Sequence, residues 1–546
     1  MTATELPAAP ATGSAQGTVR RLIVYTLLFA LVTIAAAGLA GLLERLLDTG
    51  TSLAMGGTAG LALSLAFALI GGPLAALLWW VVWRRLADES ERASLAWGLY
   101  LTVMYTVSLI VATTALLGTA TTALVHGRWL PGSFAVGVVW AVVWAWHRWM
   151  WRHPVKHPTR LSTVPVVGSV YGLIIGVGGF VNALGSLFDT AIRGAYETIA
   201  GAPWWRMPLE ALLWAVAGGV IWWWHWYRDG TRRLRTGLAA VALVVVGVLG
   251  AGVLMLGGLG TALFVGLRLA FDPSDPAGEI LRPLGTALAA ALVGALVWVY
   301  HRRVAAERSD GTRRASALVM SGVGLVAAAS GLGVIVNATL ATLVSPLAAS
   351  DTRTLLLGGI SALVVGGPVW WLEWKPTRQV ESTEIGGTGR RVYLIAVFGI
   401  SAVVALIALL VVGYRLFEFG LDPTTGGSLI DRVRAPLGVL VATALVFGYH
   451  FAVWRRDRAV IVAEGLAPAR RIGRVILVTA GDVAALKTAI EDATGASVTL
   501  WQRSGDETAA APDAAAVVGA LAGVTGRRAL VLAGPGDRVE VVRLAD

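Results

Sequence analysis

Cysteine is absent from the 546 residues, which excludes disulfides and thiolate metal sites and leaves the redox compartment unread. Charge is scarce as well: Asp, Glu, Lys and Arg make up 14% of the chain, against about 25% in an ordinary soluble domain. Lysine is nearly missing, with Lys156, Lys375 and Lys487 alone, so the basic residues are almost all arginine. Four patterns that carry enzyme chemistry are also missing: GxxxxGK(S/T), HExxH, GxSxG and a GxGxxG between strand and helix. No catalytic residue, metal or cofactor is therefore expected. The basic loops carry no interleaved aromatics on a soluble face, which disfavours nucleic acid as the target of the net charge of +11.

What is there in quantity is apolar. Hydrophobic residues are 56% of the chain, with 23 Trp and 66 Gly, and the mean hydropathy is +0.72. A bilayer crossing needs about 20 apolar residues. Twelve segments qualify: 22–43, 59–83, 95–124, 132–151, 163–188, 208–227, 237–267, 283–300, 315–344, 354–373, 391–414 and 435–454. They read as six tandem hairpins over about 20–86, 93–152, 161–230, 235–304, 313–376 and 390–456. Residues 1–19, rich in Ala, Thr, Pro and Ser, read as a disordered tail. The expected fold is an all-α polytopic membrane protein followed by a small α/β domain.

The second helix of each hairpin ends in aromatics and a basic cluster. Trp144, Trp222, Trp298, Trp370 and Phe447 each stand three residues before His147, His225, His301, Glu373 and His450. That spacing puts ring and polar group on one helix face. The column recurs at intervals of 78, 76, 72 and 77 residues, which marks an internal repeat. The first hairpin is degenerate, with Leu78 in the column.

The column has two readings. In one, the aromatics form an interfacial belt at headgroup depth, with His and Arg reaching for water or phosphate. In the other, packing gathers His147, His225, His301, Glu373 and His450 into a ring that contacts a metal, haem or quinone. The anionic headgroup contacts expected of the belt are Arg84, Arg85, Arg148, Arg228, Arg302, Arg303, Arg455 and Arg456.

Charge placement sets the expected orientation. Twenty Lys or Arg lie between hairpins and ten within them, whereas acidic residues run nine to twelve. The positive-inside rule then puts both termini and every inter-hairpin loop in the cytoplasm. No Lys, Arg, Asp or Glu is left for a helix centre, which argues against an ion-coupled pump built on buried carboxylates. Two amides, Asn182 and Asn337, remain inside apolar segments as interhelical contacts or cavity-lining groups. The glycines at 168, 172 and 176 have the spacing for close helix approach.

After Trp454 the composition changes. Residues 457–473 read as a linker, and residues 474–546 as a βαβαββ domain with strands at 475–480, 497–503, 529–533 and 538–544. Asp482 is placed to cap its first helix, and Gly534-Pro535-Gly536-Asp537 to turn the last two strands into a hairpin.

The opening Arg390-Arg391-Val392-Tyr393-Leu394 and the endings Tyr300-His301-Arg302-Arg303 and Trp222–Arg228 resemble a family of bacterial multi-pass membrane proteins. That family is built from a repeated helical domain of unknown function. The resemblance spans about residues 20–456 and implies membrane insertion and repeated hairpins, but no activity. Three functions are then in view. The first is a non-catalytic membrane scaffold or accessory component whose cytoplasmic domain meets a protein partner. The alternative is a channel or carrier for a neutral or amphipathic small molecule, and the third a redox protein using the His column. The oligomeric state is left open.

Overall fold

The computed structural model describes residues 12–48, 57–159, 163–194, 203–344, 350–378, 388–422, 428–463, 472–479, 484–494, 496–502, 513–522, 524, 526–534 and 539–544. The chain divides into two compact units, Met1–Thr377 with Ser401–Val446, and Arg378–Ile400 with Phe447–Asp546.

The long helices follow the apolar segments. They are α1 (Thr12–Leu47), α2 (Gly57–Ala66 and Gly72–Arg85, joined by a wide π turn), α3 (Leu95–His126), α4 (Pro131–Trp151), α5 (Val164–Arg193) and α6 (Arg206–Trp223). Then come α7 (Gly237–Ala242 through Ala251–Phe271, with a π stretch between), α8 (Leu284–Arg308), α9 (Asp310–Ala341), α10 (Ser350–Arg378), α11 (Thr388–Leu421) and α12 (Leu429–Ala463). Local chemistry sets several of their starts. The hydroxyls of Ser94, Thr236 and Ser309 accept from Trp97, Ala239 and Thr312 amides, and prolines stand in the first turns of α4 and α5. Gly127 closes α3 at φ +65°, a conformation that costs glycine nothing.

Among the described residues, eleven helices are long and apolar enough to cross a membrane. The segment outside that set is α4. It is 21 residues long and carries no Asp, Glu or Lys and the single Arg148, and its five tryptophans and His147 hold its hydropathy down. Two boundaries differ from expectation. Helix α1 starts at Thr12, inside the stretch read as a tail, and α12 continues through Ala463, inside the stretch read as a linker. No proline falls within either extension: Pro10 and Pro468 lie beyond the helix ends, and Gly13 and Gly17 are carried inside α1.

In the first unit, neighbouring helices touch at glycine. A Cβ on Gly172 or Gly218 would collide with the backbone of Trp222 or Gly176, and one on Gly179 with that of Ala215. The pairs run in opposite order, so α5 and α6 are antiparallel with their backbones in contact. A Cβ on Gly294 would lie 2.6 Å from Met255 N, and one on Gly366 2.6 Å from Ala328 N. The same device therefore joins α7 to α8 and α9 to α10. Where apolar burial gives no preference for protein over lipid, such close approach is what holds helices together. Leu27, Ile174, Val216, Leu406 and Leu410 are exposed on the outer faces, as lipid contact requires.

Within the second unit, the C-terminal residues form β1 (Ile472–Thr479), α13 (Ala484–Thr494), β2 (Ser497–Gln502), α14 (Ala514–Leu521), β3 (Gly526–Ala533) and β4 (Val539–Leu544). The sheet order is β2-β1-β3-β4, with β4 antiparallel and the rest parallel. Both helices cover one face, where Leu486, Ile490, Val517 and Leu521 pack on Val475, Leu477, Ala529 and Val531. Asp482 and the turn residues Pro535–Asp537 lie outside the described residues.

Candidate functional site

The polar column is buried. His147, His225 and His301 are 0%, 1% and 2% exposed, so none of these imidazoles reaches for water as the belt reading expects. Each uses Nδ1 in the same way, donating to the carbonyl one turn back: Val143 at 2.7 Å, Ile221 at 2.7 Å and Val297 at 2.8 Å. A carbonyl only accepts, so the proton sits on Nδ1 and Nε2 is left as an acceptor. Tyr100 Oη donates to His147 Nε2 at 3.1 Å, and Tyr105 Oη to His225 Nε2 at 2.7 Å. Glycine makes the room. A Cβ on Gly168 would strike the His225 ring, and one on Gly247 would lie 2.6 Å from His301 Cδ2.

Around His225 the contacts extend into one network. Tyr105 Oη also accepts from Arg148 Nη1 at 3.2 Å. Arg148 grips Asp229 with two bonds of 3.0 and 2.9 Å, and Arg152 adds a third at 2.5 Å. The Asp229 side chain is wholly buried and that of Arg148 is 12% exposed. A bidentate pair of this kind is both strong and geometrically selective. Burial pushes the Asp229 carboxyl up, but the bonds and charge of Arg148, with the charge of Arg152, hold it below the ordinary carboxylate range. The backbone re-aims itself to build this site. After Trp223 the helix widens into a π turn over Trp224–Arg228, closed by Asp229 N to Trp224 O at 3.0 Å. Trp226 is buried within this turn, and Asp229, four residues on from His225, lies with a carboxylate oxygen 3.9 Å from its Nε2.

Two predictions arise here. Tyr105→Phe removes a donor to His225 and an acceptor for Arg148, and is expected to cost about 1–3 kcal/mol in thermal unfolding, with no change in helix content. The Asp229 pair also sets an acid limit. A depressed folded pKa means the stabilisation is complete above the unfolded value of about 3.9 and is lost as pH falls through it towards the folded value. Denaturant midpoints are expected to be insensitive to this group from pH 5 to 8 and to fall below about pH 4. In Asp229→Asn that acid-dependent component is absent.

The remaining column positions repeat the theme with other partners. Trp222 and Trp226 pack against His301 at 6.1 and 5.6 Å between ring centroids, and Trp226 Nε1 donates to Tyr300 Oη at 2.7 Å. Glu373, 8% exposed, is in a close ion pair with Arg302. Thus Arg148 and Arg302, each one residue past a column histidine, both reach an acid of the next hairpin. In the second unit His450 is buried against Tyr393, and Arg390 binds Asp457 at 2.7 Å.

Several sequence expectations change accordingly. Arg148 and Arg302, expected at lipid headgroups, are engaged with Asp229 and Glu373, which the fold holds within hydrogen-bond reach of them. Arg84, Arg85, Arg228, Arg303, Arg455 and Arg456 are exposed, with Arg84 stacked 3.9 Å over Trp80. Trp144, Trp222, Trp298 and Trp370 are half-buried, and Arg302 lies 4.8 Å over Trp298. Asn182 is exposed between buried Val181 and Ala183 and faces away from the packed side of α5. Asn337 accepts from Arg434 Nη1 at 3.1 Å, an interhelical contact. Among the described residues no three His, Asp or Glu are arranged to hold a metal ion, so the column does not close into a ring of ligands.

A cavity of about 570 Å³ lies at the opposite helix ends, lined by Phe264, Arg268, Asp275, Val334, Asp351 and Leu355. Beside it, Asp272 is fully buried. A hydrogen bond from Thr354 at 2.6 Å holds its carboxyl below the ordinary range against the upward push of burial, helped by Ser274, Arg353 and Arg268.

Helices of this length and hydropathy, joined by glycine contacts and buried polar clasps, define a polytopic helical membrane protein. A family described as a domain of unknown function (DUF5671) matches the chain twice, over residues 21–127 and 314–445. Each matched stretch opens within the first turns of a long helix, nine residues into α1 in one case and four into α9 in the other. No curated protein and no solved structure matches the chain.

Proposed function

We propose that the chain is a non-catalytic membrane component, a scaffold or accessory protein whose C-terminal domain meets a protein partner in the cytoplasm. The observation that carries this reading is the use made of the histidines. Both ring nitrogens of His147 and of His225 are taken up by the protein, so neither offers a lone pair to a metal, haem or substrate. The polar column serves as a set of clasps between neighbouring helices. In this reading α4 is the twelfth crossing, its tryptophans compatible with a bilayer interface. The chain makes six like-oriented hairpins at about 20–86, 93–152, 161–230, 235–304, 313–376 and 390–456, and every clasp lies at the cytoplasmic end. Two separate matches to one family model, over α1–α3 and over α9 to the first half of α12, support a repeated chain.

The carrier reading is less well supported. It calls for a polar cavity at the midplane near Asn182 and Asn337, whereas the cavity described is at the helix ends and is lined by neither. The scaffold reading is tested by capture from native membranes. The full chain, a truncation after Ala463 and a His147→Gln, His301→Gln variant are each tagged and their co-purifying proteins compared. The expected result is a defined partner held by the full chain and by the histidine variant, and lost on truncation. Capture that is unaffected by truncation but lost in the histidine variant contradicts the reading.

A further inference from the structure

The C-terminal sheet has two faces, and among the described residues only one of them is covered by helices. The strand register lays out the other face in three rows. Ser497, Arg474, Arg528 and Leu544 form the first, Thr499, Ile476, Leu530 and Val542 the second, and Trp501, Val478, Leu532 and Glu540 the third. Among the described elements no helix packs on these rows, since α13 and α14 share the opposite face. Trp501 is 57% and Leu532 36% exposed, and Arg474, Arg528 and Glu540 are exposed at the margins. Six neighbouring apolar side chains around a tryptophan, rimmed by charge, are the composition of an interface centre.

We propose that this face binds the same face of a second copy of the chain, making a two-layer β-sandwich across a two-fold axis. The proposal deepens the reading of residues 474–546 as an interaction module by naming one partner. Charge decides how two copies face each other. If rows met like to like, Arg474 and Arg528 of one copy would oppose the same pair of the other, four guanidinium groups at close quarters. If the axis runs along the middle row, strands reverse. Arg474 and Arg528 then lie over the Val478–Leu532–Glu540 row, with each Arg528 diagonal to the partner's Glu540 and within ion-pair reach. The face is self-complementary only in this second arrangement. Its size is adequate. Four strands about 4.8 Å apart and three rows about 7 Å apart give roughly 400 Å² of planar face per copy. Accessible area exceeds planar area, so two copies come to about the 1,000 Å² that a specific interface needs.

The lack of cysteine allows a clean test. Thr499 lies in the middle row, where the proposed axis brings it near its own symmetry mate, and Ala520 lies exposed on α14. Single Thr499→Cys and Ala520→Cys versions of the full chain, in native membranes, are treated with a short bis-maleimide. The expected result is a covalent dimer from Thr499→Cys, at least tenfold more than from Ala520→Cys. Adding Trp501→Glu, an exposed position that does not threaten folding, should abolish it. Arg528→Glu or Glu540→Arg should each weaken it, and the two together should restore it. No dimer, equal dimer from both positions, or an adduct of Thr499→Cys with another protein or with lipid in place of the dimer each overturns the proposal. The crosslink is read on the chain itself and partner capture on the proteins that come with it, so the two readings fail separately.

Discussion

Asp229→Ala is expected to lower the unfolding free energy by about 3–5 kcal/mol, the cost of leaving one member of a buried ion pair without the other. The reason is geometric. Arg148 is 12% exposed on its side chain and held between Tyr105, Trp144 and Trp224, so it cannot turn to water when its carboxylate is removed. Arg152, half exposed, can. The loss should therefore show as a lower thermal midpoint in detergent for Asp229→Ala and Arg148→Ala, with a much smaller shift for Arg152→Ala. Joint replacement, Arg148→Met with Asp229→Leu, is expected to recover most of the stability, since apolar residues of similar volume often match or exceed a buried pair. Equal, additive losses from the two single changes and their combination would mean that the residues do not act on one another.

The second large effect separates two adjacent glycines. Gly218→Val puts a Cβ into the backbone of Gly176, where no side chain can move aside, and is expected to cost about 3 kcal/mol or prevent accumulation altogether. Gly219→Val meets nothing within 4 Å and faces outward, so its expected effect is within about 0.5 kcal/mol. Yields and thermal midpoints of the two variants, compared side by side, test whether α5 and α6 are in backbone contact. Similar behaviour of both would contradict it.

Much of this was legible in the residues themselves. Apolar length located the helices because a bilayer leaves a chain few other options, and the recurring Trp-x-x-His marked positions of equal depth. The order of strands and helices after residue 472 followed from alternation and turn residues. The partners were not legible. Tyr105 and His225 are 120 residues apart, and nothing local to either announces the bond. His225 and Asp229 are i and i+4, the spacing of one helix face, but nothing local tied Asp229 to Arg148, 81 residues earlier. Gly168 offered a hint, because a glycine 57 residues before His225 is matched by Gly247, 54 before His301. Composition hid the rest, since with 66 glycines such spacings arise without meaning.

The proposed topology has an even number of membrane crossings, with the inter-hairpin loops and residues 474–546 in the cytoplasm. Single cysteines at Ala87, Ala306 and Ala520, and at Arg128 and Gly278, answer this directly in a chain that has no other thiol. With a membrane-impermeant maleimide on intact cells, Arg128→Cys and Gly278→Cys should label at once. Ala87→Cys, Ala306→Cys and Ala520→Cys should label only after permeabilisation. Labelling of Ala520→Cys in intact cells, or of Ala87→Cys together with Arg128→Cys, would contradict the account.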